Sequence, residues 1–449
     1  MFLLGLVCVC VSVGAWACED DPAPFVFQGF VVDGENGNPA AGTDATTLRI
    51  GIQEGERSAQ ELEYPITDGQ FDALLSFESF VDQTRIRVTI EGPTADLVTA
   101  PPSFVPALTG GLMRVVTTVP GSCERIAFNF MEAPRASFGM VQSDTFAFLV
   151  GGTEPAQEQV EFLDALEWES RLFVEDLSLS NLGPTRAASV DENQILVLPS
   201  NATPFIFDMQ NTLNRITLVV LHAGAGTRSA LVSIPGIGAM VIGGELSGEA
   251  QAAVSLVEPG GAVTSLQLSE PRSGPVAATL GTDVLVVGGD PLGNAELLRE
   301  GSSTGEPVTS LMDGIREGGV LVGDGQTRAL FVGGTDDVGA LRQDTVRFDG
   351  CPDSCVSSSG PPWTTARLEV LQPVQSALLV GGTNSRLVEE VRWSASEVEI
   401  ASLLELRAPR AAPGGIVLES GVFIVGGGND GVSPREDFEF CAPPQLEPL

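Results

Sequence analysis

The chain has 449 residues, 43% of them hydrophobic, and a formal charge of −36 at pH 7, so it can bury a core while its surface repels nucleic-acid phosphates. All 23 basic residues are arginine; without lysine there can be no G-x-x-x-x-G-K-[ST] phosphate loop. The single histidine, His222, excludes metal centres built on histidine clusters. The high counts of Gly 52 and Pro 30 predict an all-β chain with many tight turns.

Residues 1–17 read as an export signal. Phe2 to Ala17 is almost wholly apolar, too short to span a bilayer comfortably, and closes on the small-residue pattern Ala15-Trp16-Ala17. Cleavage there removes Cys8 and Cys10 and makes Cys18 the first residue. This resembles a bacterial lipoprotein signal, which implies lipid on Cys18. The remaining Cys123, Cys351, Cys355 and Cys441 are then an even set, suited to disulfides in an oxidising compartment. The expected location is a bacterial outer-membrane or cell-surface lipoprotein, alternatively a secreted or periplasmic protein. Residues 18–23 read as a short tether.

Residues 24–119 are expected to form a small β-sandwich. Strands are predicted at Phe25–Val32, Leu48–Ile52, Phe71–Leu75 and Arg85–Ile90, with Arg49, Arg85 and Arg87 alternating with apolar neighbours. Asp33-Gly34, Asn38-Pro39 and Asp68-Gly69 mark the turns between them. The runs Gly29–Asp33, Asn38–Gly42 and Thr67–Phe71 resemble the carboxypeptidase-regulatory-like (transthyretin-like) sandwich. That resemblance implies a spacer and carries no active residue.

From residue 120 to 449 a short apolar run ending in two glycines recurs. Copies end at Gly151-Gly152, Gly243-Gly244, Gly288-Gly289, Gly333-Gly334, Gly381-Gly382 and Gly426-Gly427, so the first glycines stand 92, 45, 45, 48 and 45 residues apart. A degenerate copy, Ile195–Pro199, fills the double gap with Leu198-Pro199 in place of the glycines. Units of this length read as four-stranded propeller blades. An arginine precedes each copy by 12 to 17 residues: Arg135, Arg186, Arg228, Arg272, Arg316, Arg367 and Arg410. Third strands are predicted at Val160–Asp164 and Thr345–Asp349, and a fourth at Val263–Leu268. The Pro-Arg pair, the Gly-Gly strand and the following strand closing on an aromatic and Asp resemble the kelch repeat. The implied fold is an all-β, seven-bladed kelch-like β-propeller behind a small N-terminal β-sandwich.

The chain ends on a third strand, Glu436–Phe440, whereas Arg125–Phe130 has no unit of its own. Pairing these two segments closes the ring and brings Cys123 beside Cys441, which predicts a Cys123–Cys441 disulfide. Cys351 and Cys355 are expected to pair within a loop; a zinc site would need a second Cys/His pair.

Chemistry is bounded by inventory. The kelch-type copper-radical oxidases share the implied architecture but need two His and two Tyr ligands, and this chain has one of each. His222, at a predicted strand end, is expected to be structural. The seven arginines are expected to pair with neighbouring acids and serve the fold, since a residue repeated in every unit usually serves the unit. The polar loops after Gly-Gly offer a recognition face at Glu154, Glu245, Asp290, Asp336, Asp337, Asn384, Asn429 and Asp430. Their oxygens also suit Ca²⁺. No other cofactor is expected. Asn201-Ala202-Thr203 is a short glycosylation sequon. The expected function is non-enzymatic recognition of a protein or glycan at the cell surface, with no nucleic acid and with membrane contact only through the N-terminal anchor. The alternative is an extracellular carbohydrate-active enzyme using a carboxylate pair.

Overall fold

The computed structural model describes residues 25–27, 31–32, 46–54, 60–67, 73–75, 84–92, 96–99, 115–118, 121–143, 146–153, 160–164, 169–172, 182–209, 216–310, 312, 314, 316–373, 376–418 and 422–444. All secondary structure among them is β, with no helix. The expected export signal, Cys18 and Glu154 lie outside the described residues.

The N-terminal region holds two sheets. One orders its six strands as Val31–Val32, Val115–Thr118, Asp96–Thr99, Thr84–Glu91, Thr47–Glu54 and Gln60–Pro65; the other pairs Phe25–Phe27 with Ala73–Leu75. The apolar stretch from Phe25 to Val32 is therefore divided between the sheets rather than running as one strand. Leu48, Ile50 and Ile90 are fully buried, whereas Arg49 on the opposite face pairs with Glu63 at 2.8 Å and with Glu91. The period-2 alternation decides which face is wet.

The described residues between 122 and 442 form seven successive sheets. The first contains Gly139–Ser143, Phe146–Val150, Val160–Asp164 and Glu169–Leu172. The second contains Thr185–Ser189, Gln194–Pro199, Phe205–Asp208 and Ile216–Leu218. The third contains Ala230–Ile234, Gly238–Ile242, Glu249–Val257 and Val263–Arg272, with a short edge piece at Glu245–Leu246. The fourth contains Val276–Leu280, Asp283–Val287, Ala295–Leu298 and Glu306–Val308, and the fifth Val320–Gly323, Ala329–Val332, Thr345–Asp349 and Val356–Ser359. The sixth has three strands, Leu378–Val380, Leu387–Trp393 and Val398–Glu405. The seventh joins Gly414–Val417, Phe423–Gly426 and Arg435–Ala442 to Ser122–Arg135, which comes from the start of the region.

Sheet stacking explains why the Gly-Gly strands are continuously apolar. Phe148 and Val150 pack against Val197 and Phe205 of the second sheet, while Leu149 between them points to Ile424 and Phe438 of the seventh. Both faces of the strand are buried, so alternation disappears. Similar cores join the second sheet to the third (Leu196, Val241), the third to the fourth (Ile242, Val286) and the fourth to the fifth (Leu285, Phe331). Others join the fifth to the sixth (Leu330, Leu379) and the sixth to the seventh (Val380, Val425).

In the seventh sheet Cys441 faces Cys123 across the Arg435–Ala442 and Ser122–Arg135 pairing, and their sulfurs are bonded. This ties positions 318 residues apart. Cys351 and Cys355 are bonded within a loop.

Candidate functional site at the Gly-Gly end of the sheets

One backbone hydrogen bond sets the register of the repeat. In four units the residue after Gly-Gly donates its N–H to the carbonyl of the residue after the repeat arginine: Thr153 to Ala136, Thr335 to Glu317, Thr383 to Leu368 and Asn429 to Ala411. The last of these places the seventh glycine pair at Gly427-Gly428, one residue later than the spacing of the first glycines implies. The backbone agrees: Gly427 and Gly428 have φ of 58° and 84°, whereas Gly426 has no positive φ and lies within a strand. The positive φ is required because the chain leaves the strand where the next unit approaches. A Cβ on Gly288 would stand 2.7 Å from the Arg316 carbonyl oxygen.

The same bond corrects two of the seven arginines. Ser200 donates to Pro184, and Glu245 to Thr227, so the repeat positions of the second and third units are Gly183 and Gly226. Arg186 and Arg228 stand three and two residues further on. Arg228 occupies the left-handed turn shared with Ser137, Glu369 and Ala412, with a φ of 52°. Its side chain is exposed and pairs with Glu317, with Glu245 at 3.7 Å. A spacing tolerance of a few residues hid both slips.

The five in-register arginines are buried and ion-paired. Arg272 meets Glu296 at 2.9 Å and donates to the Gly288 and Asn294 carbonyls at 2.8 and 2.9 Å. Arg410 meets Glu439 at 2.9 Å and Asp437 at 3.2 Å, and donates to the Gly427 carbonyl. Arg135 pairs with Glu161, and Arg367 with Glu389 at 2.7 Å, each also donating to the first glycine of its unit. Arg316 pairs with the half-exposed Asp344. Burial lowers the Arg135 guanidinium from its ordinary value against the opposing pull of Glu161.

The carboxylates also reach backward along the chain. Glu296 accepts the N–H groups of Ser269 and Glu270, Glu439 those of Arg407 and Ala408, and Glu161 that of Glu132. Each latch thus ties a sheet's third strand to the segment entering that sheet. Sequence reasoning missed these acids. Their signal is a lone Glu inside an apolar third strand, as in Val160-Glu161-Phe162 and Ala295-Glu296-Leu297.

The third unit builds the latch without charge. Ser255 sits opposite Val241 in the register where Glu296 sits opposite Val286. His222 lies against Ser255, Nδ1 to Oγ at 2.9 Å, and against the Gly243 carbonyl oxygen, Nε2 to O at 2.8 Å. A carbonyl only accepts, so Nε2 carries the proton and Nδ1 accepts from the serine hydroxyl. Burial pushes the imidazole below its ordinary 6.5, against a smaller raising effect of the Gly243 hydrogen bond. Ser255 is buried and both ring nitrogens are engaged, so the pair serves as a structural substitute for the latch.

The proposed recognition acids largely hold their own loops. Asp290 is buried and accepts the N–H groups of Leu292 and Asn294, which removes it from the exposed face expected of it. Asp336 accepts from Val338 and Ala340, Asn429 from Gly431, and Asp430 from Val432 and Ser433. Glu245 accepts from the Ser273 hydroxyl. Asp337 and Asn384 are exposed. What these loops present instead is aliphatic: Leu292 is 69% exposed, Val338 81% and Val432 91%, with Leu246 and Leu341 beside them in sequence position. The cluster Cys123, Glu439 and Cys441 offers no metal site, because its sulfurs are bonded to each other and Arg410 holds the glutamate.

No family model matches the chain, and no curated protein matches it. Among solved structures it is similar to that of YjhT, at 10% identity and a TM-score of 0.41, over 69% of this chain and 95% of that one.

Proposed function

We propose that the seven sheets are the blades of one closed kelch-like propeller whose Gly-Gly end binds a protein partner. Two features support the closure: the seventh sheet shares a core with the first, and it takes its fourth strand from the start of the region. First strands of the first five sheets also touch in succession, and that of the seventh meets that of the first. The observation that carries the binding reading is the set of aliphatic tips. Leu292, Val338 and Val432 occupy the same loop of three different units and are left in water. Large aliphatic side chains set in water at one recurring loop are the apolar anchors a protein partner would cover.

A protein fits this surface better than a glycan, because the tips are aliphatic and Trp363 is buried beneath its own glutamate. Glycan cleavage has less support. Asp324, Asp430 and Asp437 are each held below their ordinary 3.8, which counts against these three as a general acid. For Asp437, burial pushes upward and is outweighed by Arg435, Arg410 and Arg125. We further propose export with lipid on Cys18, residues 24–119 serving as a sandwich-like spacer. Fatty-acid labelling that survives Cys18→Ala would remove the anchor from this reading.

The test of binding is cross-linking on intact cells with the wild type and with Leu292→Asp, Val338→Asp and Val432→Asp combined. The expected result is an unchanged melting temperature and loss of a defined cross-linked product. Retention of that product in the triple variant would overturn the reading. Melting with Ca²⁺ and with chelator tests whether the acidic loops hold the ion.

A further inference from the structure

We propose that Arg186 is the receptor for one oxyanionic group, a carboxylate or phosphate, held between the second and third sheets. Every other arginine whose side chain is described in the seven-sheet region has an acidic partner within 4.0 Å; Arg186 has none among the described residues. In a chain of net charge −36 this is the reverse of what composition would produce.

The guanidinium is half-buried and positioned. Its Nη2 donates to Ser229 Oγ at 3.0 Å and lies 3.5 Å from the Gly226 carbonyl oxygen. Ser229 is itself buried and donates onward to the Ala225 carbonyl. Nε and Nη1 have no hydrogen-bond partner among the described residues, which leaves their N–H groups free to donate to an anion oxygen.

The repeat supplies an independent argument. Arg186 and Ser229 both stand three residues past their units' repeat positions. The equivalent residues elsewhere are Phe138, Pro275, Gly319, Val370 and Pro413, all apolar or side-chain-free. Two neighbouring units have thus replaced an apolar position with a hydrogen-bonded Arg–Ser pair. Desolvation with no compensating acid pulls the Arg186 guanidinium down to about 10, the cost an incoming anion would relieve.

The experiment is calorimetric titration of the full protein with inorganic phosphate and, separately, acetate, each against chloride at matched ionic strength. Saturable binding of at least one oxyanion is expected, weakened about 10- to 100-fold by Arg186→Gln, the range set by a charge-assisted hydrogen bond. Whether phosphate or acetate binds more tightly identifies the group. No saturable binding of either, or equal affinity in the variant, would overturn the proposal. Should the variant not fold, phenylglyoxal labelling of the wild type reads the same site. Modification of Arg186 in chloride that the bound anion suppresses supports the assignment, and modification indifferent to the anion refutes it.

Discussion

The fourth and third sheets solve one problem with opposite electrostatics. In the fourth, Arg272 and Glu296 bury a full ion pair and spend the spare donors on the Gly288 and Asn294 carbonyls. In the third, Ser255 takes the register position of Glu296 and His222, four residues before the repeat position, takes the Gly243 carbonyl, with no net charge. What the two share is a donor on the first glycine's carbonyl and a side chain in the third-strand register. The repeat therefore needs the hydrogen bonds at this corner, and charge is one way of making them. Buried ion pairs are costly to desolvate, so a neutral pair can replace them with little loss.

This comparison is sharpest when one partner is removed. Arg272→Met leaves Glu296 buried and uncompensated, and is expected to cost about 3–5 kcal/mol in urea unfolding. Replacing both Arg272 and Glu296 by apolar residues of similar volume should recover most of that loss. If the double variant is no better than the single, the ion pair is itself stabilising and the neutral third unit needs another account.

Opening the Cys123–Cys441 bond tests the seventh sheet, which joins the two ends of the region. Cys123→Ser with Cys441→Ser should cost about 2–5 kcal/mol, read by thermal or urea unfolding without reductant. An unchanged midpoint would show that strand pairing alone holds the ends.

The neutral latch should yield less. Ser255→Ala removes the hydroxyl that satisfies Nδ1 and is expected to cost about 1–3 kcal/mol. The smallest effect is in pH. His222 is held below its ordinary 6.5 in the folded chain, so the unfolded chain binds the proton first. Its contribution is present above 6.5 and is lost as pH falls through the folded value. His222→Gln should flatten that acid limb of a melting-temperature profile. An acid limb unchanged in the variant would assign the dependence elsewhere.

How much of this was legible in advance differs by level. The third strands at Val160–Asp164 and Thr345–Asp349 match the sequence reading, and so does the pairing of the Arg125–Phe130 segment into the last sheet. The strands Asp96–Thr99 and Val115–Thr118 are short and carry few apolar residues at period 2, whereas Gln60–Pro65 does alternate, through Leu62 and Tyr64, and is a signal the sequence reading passes over. Arg186 and Arg228 were assigned to the repeat by spacing, and a backbone hydrogen bond removed them from it.

By itself the sequence determined the all-β class, the unit length and the strands that must be buried on both faces. These follow from local conformational limits of Gly and Pro and from apolar runs long enough to need two neighbours. Tertiary structure alone decided which acid meets which arginine, because the partners lie 22 to 29 residues apart on separate strands. It also decided that His222 stands in for an arginine and that Arg186 stands alone. Those are facts of register, and a shift of one residue in a strand exchanges its buried face for the other.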